Sequence, residues 1–165
     1  MTCAPRTAVS ARSAAGGFTL VELLTVITII AIGSAIAMPS LRAALVAQRV
    51  RGASTDLMSS LLLARSEAIK RSDLVRVEPR SGDDWSNGWR VVGVAAGDQI
   101  DIKDALGDGA YVSRAPASIV YERHGRLTTV GIVRIELTDS VSSTRNRCVA
   151  VDPAGLPRLV AGSCP

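Results

Sequence analysis

Residues 17–39 read GFTLVELLTVITIIAIGSAIAMP, and this stretch decides what kind of chain this is. From Phe18 to Met38 it contains one charged side chain, Glu22. A helix of that length spans about 30 Å, the thickness of the hydrocarbon core of a bilayer. Arg6 and Arg12 precede it, and positive residues are retained on the cytoplasmic side of membranes. The sequence therefore predicts a membrane helix that is followed by a domain outside the cytoplasm.

Three interpretations of this segment differ in where the chain is cut. A secretory signal would be removed after Ala37, a signal anchor would remain uncut, and a third kind of signal is cut after Gly17. A carboxylate in hydrocarbon costs several kcal/mol unless a positive group pairs with it. A disposable signal has no use for such a residue. Cleavage after Gly17 would supply a partner for Glu22, namely the new α-amino group of Phe18 on a neighbouring chain.

The motif G-F-T-L-V-E, Gly17 to Glu22, resembles the signal of type IV pilins and type II secretion pseudopilins. The resemblance implies that a prepilin peptidase cleaves between Gly17 and Phe18 and that Phe18 is then N-methylated. It also implies that Glu22 sets the register of assembly. Pro39 matches the family as well, and a proline inside the long helix is expected to kink it.

The rest of the chain predicts an α+β fold, with a helix from about residue 19 to 71 that ends at Ser72-Asp73. Apolar or small residues recur in steps of three and four, which gives the second half of the helix one packing face. They are Leu41, Leu45, Val50, Ala53, Leu57, Leu61, Ala64 and Ala68. A period of two then predicts strands at 74–78, 89–94, 118–122, 132–137 and 148–151. Consecutive strands after one long helix indicate an antiparallel sheet packed on that helix, which is the type IV pilin-like arrangement.

The segment Asp84 to Trp89, DWSNGW, resembles the W-x-x-G-W element of the GspH/FimT branch of these proteins. We expect Trp85 and Trp89 to anchor a hairpin against the helix, because they are two of only five aromatic side chains. The expected organisation is a leader at 1–17, a transmembrane and filament-core helix at 18–38, and a periplasmic globular domain at 39–165.

Composition argues against an enzyme, a metal site or a bound cofactor. The chain has one histidine, His124, which lies beside Gly125 in a predicted turn. Six aspartates between positions 83 and 108 lack the spacing of a calcium-binding loop and its distal glutamate. Neither feature forms a catalytic or metal-binding unit with neighbours in the sequence.

The chain has three cysteines, and only two of them lie in the predicted periplasmic domain. Cys3 belongs to the predicted leader and should be removed with it. Cys148 and Cys164 remain as an even pair in an oxidising compartment, which favours a disulfide over two free buried thiols.

The resemblance implies a structural subunit, either a minor pilin of a type IV pilus or a pseudopilin of a type II secretion system. Its partners would be other pilins, the prepilin peptidase, an inner-membrane assembly platform and the bacterial inner membrane.

The alternative is a minor pilin that binds double-stranded DNA during natural transformation. Related proteins use a G-R-x-R motif, and Gly155-Leu156-Pro157-Arg158 matches only its first and last positions. The candidate DNA contacts are Arg145, Arg147 and Arg158. A secreted domain released by cleavage after Ala37 is the third interpretation.

Overall fold

The structure is a computed structural model, and it describes residues 17–165. The predicted leader, including Cys3, lies outside these residues except for Gly17. The chain divides into two compact units, one that ends at Pro39 and one that comprises Ser40–Pro165. Helix α1, Leu20–Arg71, runs through both units and contains Pro39. The predicted helix bounds are thus correct to within one residue, whereas the kink at Pro39 stays a prediction.

The second unit contains the C-terminal part of α1 and two four-stranded antiparallel sheets. Its strands are β1 (Val75–Pro79), β2 (Trp89–Gly93), β3 (Gln99–Ile102), β4 (Ala110–Arg114), β5 (Ile119–Tyr121), β6 (Val133–Asp139), β7 (Arg147–Val151) and β8 (Pro157–Ala161). We call the sheet with order β3-β2-β1-β5 sheet A and the sheet with order β4-β6-β7-β8 sheet B. Every pairing between neighbouring strands is antiparallel.

One hydrophobic core joins the second part of α1 to both sheets. Leu57 and Leu61 of the helix are almost fully buried, as are Val77 of sheet A and Ile135 of sheet B. Truncating a buried leucine to alanine typically costs 2–5 kcal/mol. The core therefore holds the second part of α1 and the two sheets together.

The predicted packing face of α1 is correct from Val50 onward and wrong at its start. Leu41 and Leu45 are half exposed, and Val46 and Ala47 are buried in their place. Positions 47 and 46 lie three and four residues before Val50, so they are on the same side of the helix as Val50. At this end the buried side of the helix is therefore not the side that was predicted.

The two tryptophans are buried and anchor different parts of the second unit. The Nε1 atom of Trp89 donates to Oγ of Ser60 on α1 at 3.0 Å, which fastens β2 to the helix as expected. The Nε1 atom of Trp85 donates instead to the carbonyl oxygen of Pro116, between β4 and β5, at 2.8 Å. Trp85 therefore ties the β1–β2 connection to the segment that leaves sheet B.

Candidate functional site

The residues of the G-F-T-L-V-E motif, Gly17 to Glu22, lie just before α1 and in its first turn. Thr19 precedes the helix, and its Oγ1 atom accepts a hydrogen bond from the backbone N–H of Glu22 at 3.2 Å. Thr19 is thus the N-cap and Glu22 the third helical residue, which is the Thr-x-x-Glu arrangement of a capping box. A carboxylate in the first helical turn is also favoured by the helix dipole. Only the Thr19 half of this arrangement is formed among residues 17–165, so Glu22 favours the start of the helix through the helix dipole, independently of any partner chain.

Phe18 and the apolar residues that follow Thr19 are exposed in the isolated chain. Phe18 is 84% exposed, Leu20 74% and Ile29 70%. Among the described residues, α1 is the one helix that is long and apolar enough to cross a membrane by length and composition, with a mean hydropathy of 2.3 over its most apolar 18 residues. An apolar surface of this size is stable only in lipid or against other helices. Residues 20–38 of α1 therefore have the length and the exposed apolar surface that a membrane anchor requires.

The C-terminal tail is attached to β7 by a disulfide between Cys148 and Cys164. The backbone N–H of Cys164 donates to Oε2 of Glu136 on β6 at 3.2 Å. Asn146 donates to the other oxygen of the same carboxylate at 3.2 Å and to Ser163 Oγ at 3.2 Å. The expected disulfide is present, and it is one of several bonds that hold the tail on sheet B.

The structure does not bring the three candidate DNA-contacting arginines onto one surface. Arg145 lies 2.9 Å from the buried carboxylate of Asp139 and donates to the carbonyl oxygen of Ala43 on α1 at 3.2 Å. Arg147 on β7 pairs with Leu137 on β6 and with Ala161 on β8. Arg158 on β8 pairs with Ala150, which lies three positions after Arg147 on β7. Because successive strand residues point to opposite faces, Arg147 and Arg158 lie on opposite faces of sheet B. Their contact with DNA stays a prediction.

The glycine of the partial G-x-x-R match has a structural role. Gly155 has a positive φ of 81°, and a Cβ atom at this position would overlap the carbonyl oxygen of Gly125. That oxygen accepts a hydrogen bond from Nε of Arg65 on α1 at 3.0 Å. The ring of Tyr121 lies beside Gly155, and burial raises the pKa of its hydroxyl group. Gly155 therefore lets the β7–β8 turn approach the His124-Gly125 turn, in which His124 is exposed.

Replacing Gly155 with alanine should lower the free energy of unfolding by about 2–4 kcal/mol, because it combines backbone strain with a steric overlap. Gly97 is the matched control, since its φ of 65° is also positive and the space around it is open. Gly97→Ala should cost only about 1 kcal/mol. Urea unfolding of both variants measures the difference. Equal losses would show that the contact between the turns contributes nothing.

The aspartates of the acidic region are used in local contacts. Asp84 Oδ1 accepts from the backbone N–H of Ser86 at 2.8 Å, and Asp104 lies 2.8 Å from Nη1 of Arg80. Arg71, at the end of α1, bridges Glu67 and Asp98 at 2.7 and 2.6 Å. These hydrogen bonds lower the pKa of both carboxyl groups. No group of three metal-ligating side chains occurs within residues 17–165.

Sequence reasoning missed two elements of these sites. The Thr-x-x-Glu capping box was readable from Thr19 and Glu22, since both residue types stand at the required spacing before an apolar run. The buried Asp139, whose Oδ1 accepts the backbone N–H groups of Val141 and Ser142 at 2.7 and 3.2 Å, had no such signal. Its burial depends on Arg145 and on tertiary packing.

Comparisons with known proteins agree with this geometry. The family model described as type II transport protein GspH matches residues 53–155, and the prokaryotic N-terminal methylation motif matches residues 12–38. A comparison with curated protein sequences finds no match.

Two crystal forms of the type IV minor pilin FimU from Pseudomonas aeruginosa share the fold. One is 18% identical with a TM-score of 0.59, over 69% of this chain and 88% of FimU. The other is 20% identical with a TM-score of 0.56, over 67% and 91%. The minor pseudopilin EpsH of the Vibrio cholerae type 2 secretion system is 16% identical with a TM-score of 0.53, over 68% of this chain and 97% of EpsH.

The GspH model covers more than half of the chain, and the methylation motif includes Gly17, Phe18 and Glu22. The similar structures confirm the α+β, pilin-like fold, in which a long N-terminal helix packs on antiparallel sheets. GspH proteins are structural subunits and are not known as enzymes. The chain therefore belongs to the GspH family and is a structural subunit of the minor pilin or pseudopilin kind.

Proposed function

We propose that this chain is cut between Gly17 and Phe18, methylated at the new N-terminus and assembled into a type IV pilus or a type II secretion pseudopilus. Residues 18–38 form the membrane and filament-core helix, and residues 39–165 form the periplasmic domain. The single observation that carries the proposal is the capped start of a helix whose first part is apolar and exposed, directly after the glycine of the motif. An exposed apolar helix needs lipid before assembly and other helices afterwards.

Glu22 gives this helix a means of selecting its position in the filament. No ion pair or hydrogen bond of its carboxylate occurs within residues 17–165 of the isolated chain. The α-amino group of Phe18 on a neighbouring subunit would neutralise it when the two helices are in register. Other pilins, the prepilin peptidase and an inner-membrane assembly platform are the partners that this route requires. Catalysis and bound cofactors have no part in it.

The cleavage site can be tested on protein extracted from membranes. The expected mature N-terminus is N-methyl-Phe18, so the N-terminal peptide should carry one methyl group and lack residues 1–17. Mass spectrometry of that peptide measures both properties. A Gly17→Ile variant should accumulate with its leader attached, because the residue before the cut is replaced by a bulky side chain. A mature chain that begins at Met38 would contradict the proposal and the role given to Glu22.

A further inference from the structure

Strand β8 forms an open edge of sheet B. Among residues 17–165 its one strand partner is β7, with Leu159 opposite Val149 and Ala161 opposite Arg147. The backbone N–H of Gly162 donates to the carbonyl oxygen of Asn146 at 2.9 Å, just beyond the last registered pair. This bond fixes the alternation of the antiparallel ladder, so the N–H groups of Leu159 and Ala161 point away from β7. These two donors, with the carbonyl groups of the same residues, are available to a further strand.

Two of the other three sheet edges are covered by the chain itself. At β4 the backbone N–H of Val112 donates to Oγ of Ser86 at 2.9 Å, so a side chain closes that edge. At β5 the backbone N–H of Thr128 donates to the carbonyl oxygen of Val120 at 3.1 Å, and Tyr121 forms a bridge with Leu127. Each of these edges therefore has backbone groups that are already bonded within the chain.

The third edge, β3, is protected by charge. Asp98 precedes the strand, Asp101 lies in it, and Lys103 and Asp104 follow it. Charged residues on a short edge strand are a common defence against unwanted pairing. Strand β8 also contains one charged residue, Arg158, but it has no further charged residues directly before or after it. Its one backbone block is Pro157 at the start of the strand, and Leu159 and Val160 are 42% and 39% exposed on its two faces.

The charges around β8 specify the chemistry of a partner strand. Arg158 is in register with Ala150, which is in register with Arg134 on β6, so both arginines lie on one face of sheet B. Neither arginine has a carboxylate partner among residues 17–165. A strand added beside β8 would place one side chain opposite Arg158 and the next opposite Leu159, on the other face. The complementary sequence alternates acidic residues with apolar ones.

The edge is also held rigidly, which reduces the entropy cost of binding. The disulfide fixes the chain just after β8, and the backbone N–H of Leu156 donates to Oδ1 of Asp152 at 3.0 Å just before it. Ser163 accepts a hydrogen bond from Asn146, so the tail cannot swing over the edge freely. A preorganised edge binds a partner strand without first having to order itself.

We propose that β8 is a docking edge that accepts an extended acidic segment of a neighbouring filament subunit by strand addition. Main-chain hydrogen bonds to Leu159 and Ala161 would give affinity, and Arg158, Arg134 and the apolar side chain of Leu159 would select an acidic and apolar sequence. The identity of the occupant as a filament subunit rests on the proposed function, whereas the edge and its preference for an acidic strand do not.

The test uses the full chain in detergent micelles and a nine-residue synthetic peptide that alternates glutamate with valine. The peptide should slow amide hydrogen exchange at Leu159 and Ala161, and leave exchange at Val160 unchanged, because the Val160 N–H already bonds to β7. A matched peptide that alternates lysine with valine should bind at least about tenfold more weakly, since it would place like charges beside Arg158. Equal binding of both peptides, or protection only at other amides, would overturn the proposal.

Two variants separate docking from folding. Leu159→Pro removes an outward-facing N–H and should weaken glutamate–valine peptide binding at least about tenfold while retaining the fold, because prolines are tolerated on the free side of edge strands. Val160→Pro is its control, since it removes an N–H bonded to β7 and should destabilise the domain. Arg158→Glu leaves the backbone intact and should reverse the preference between the two peptides. Unchanged binding by folded Leu159→Pro and Arg158→Glu would refute the docking edge.

Two further experiments identify the class of partner and separate a failure of this proposal from a failure of the proposed function. A short DNA duplex that protects the amides of β8 when the glutamate–valine peptide does not would replace the protein partner with a nucleic acid. In cells, Leu159→Pro should still be cut at Gly17 but should lose crosslinks from position 160 to a neighbouring subunit. If the unaltered chain is never cut at Gly17, the proposed function fails, whereas the peptide result still stands.

Discussion

Replacing Glu22 with glutamine should leave membrane insertion and cleavage at Gly17 intact but reduce incorporation into filaments by at least tenfold. Glutamine can occupy the third position of a capping box, so the helix start is preserved while the charge is lost. The lost interaction is the one between the carboxylate and the α-amino group of Phe18 on a neighbour. In a low-dielectric surrounding such a pair is worth more than the roughly 1.4 kcal/mol that corresponds to a tenfold change. Immunoblots of sheared filaments against the membrane pool measure incorporation.

Thr19→Ala is the matched control, because it removes the N-cap hydrogen bond and keeps the charge. Loss of an N-cap costs about 1 kcal/mol, so this variant should assemble with a smaller defect than Glu22→Gln. Glu22→Lys should be the most severe, since it places two positive groups together. If Glu22→Gln assembles normally and Thr19→Ala does not, then Glu22 acts through the start of the helix and the proposed charge pairing is wrong.

The N-terminal third of the fold could be predicted closely from the sequence because its signals are local. An apolar run with Glu22 near its start and regular steps of three and four after Val50 specify a long helix without reference to distant residues. The observed helix Leu20–Arg71 agrees with the predicted one. The buried phase at Leu41 and Leu45 was wrong, because which side of a helix faces the core depends on what packs there.

The sheets were harder to predict because three of their strands have weak local signals. β3 reads QIDI and contains Asp101, β4 is a five-residue segment that begins soon after Gly107-Asp108-Gly109, and β8 begins with Pro157. Proline and aspartate are depleted in strands, and short edge strands carry little periodicity. With only five strands predicted, one sheet was expected, and the division into two four-stranded sheets could not be foreseen.

The arginines of the C-terminal third show the limit of reading sites from sequence spacing. Arg145 and Arg147 are close in sequence, yet Arg145 is taken by Asp139 and Arg147 lies on the face of sheet B opposite Arg158. The register that pairs Arg158 with Ala150 instead brings it to the same face as Arg134, which lies 24 positions earlier in the chain. Only strand pairing places Arg158 and Arg134 on the same face. The proposal of an acidic partner strand depends on that placement.

Removing the disulfide with the double change Cys148→Ala and Cys164→Ala should lower the free energy of unfolding by about 3 kcal/mol. The cysteines are 16 positions apart, and closing a loop of about this size is worth roughly that amount in the chain-entropy model. Alanine is preferred to serine because Cys148 is fully buried, and a hydroxyl group there would add an unrelated desolvation cost. Denaturant unfolding of the full chain in detergent measures the loss, and reduction of the unaltered protein should produce a similar one.

The disulfide should also hold β8 in the ordered conformation that a partner strand binds. Without it the tail is held by the bonds from Asn146 to Ser163 and from Cys164 to Glu136, each worth about 1 kcal/mol. Ser163→Ala breaks one of these bonds and keeps the disulfide, so it should cost about 1 kcal/mol and leave peptide docking unchanged. The double alanine variant should instead exchange the β7–β8 ladder amides faster and bind the glutamate–valine peptide more weakly. If reduction changes neither the unfolding midpoint nor exchange at Val160, the hydrogen bonds alone hold this edge, and the disulfide makes no contribution to its stability.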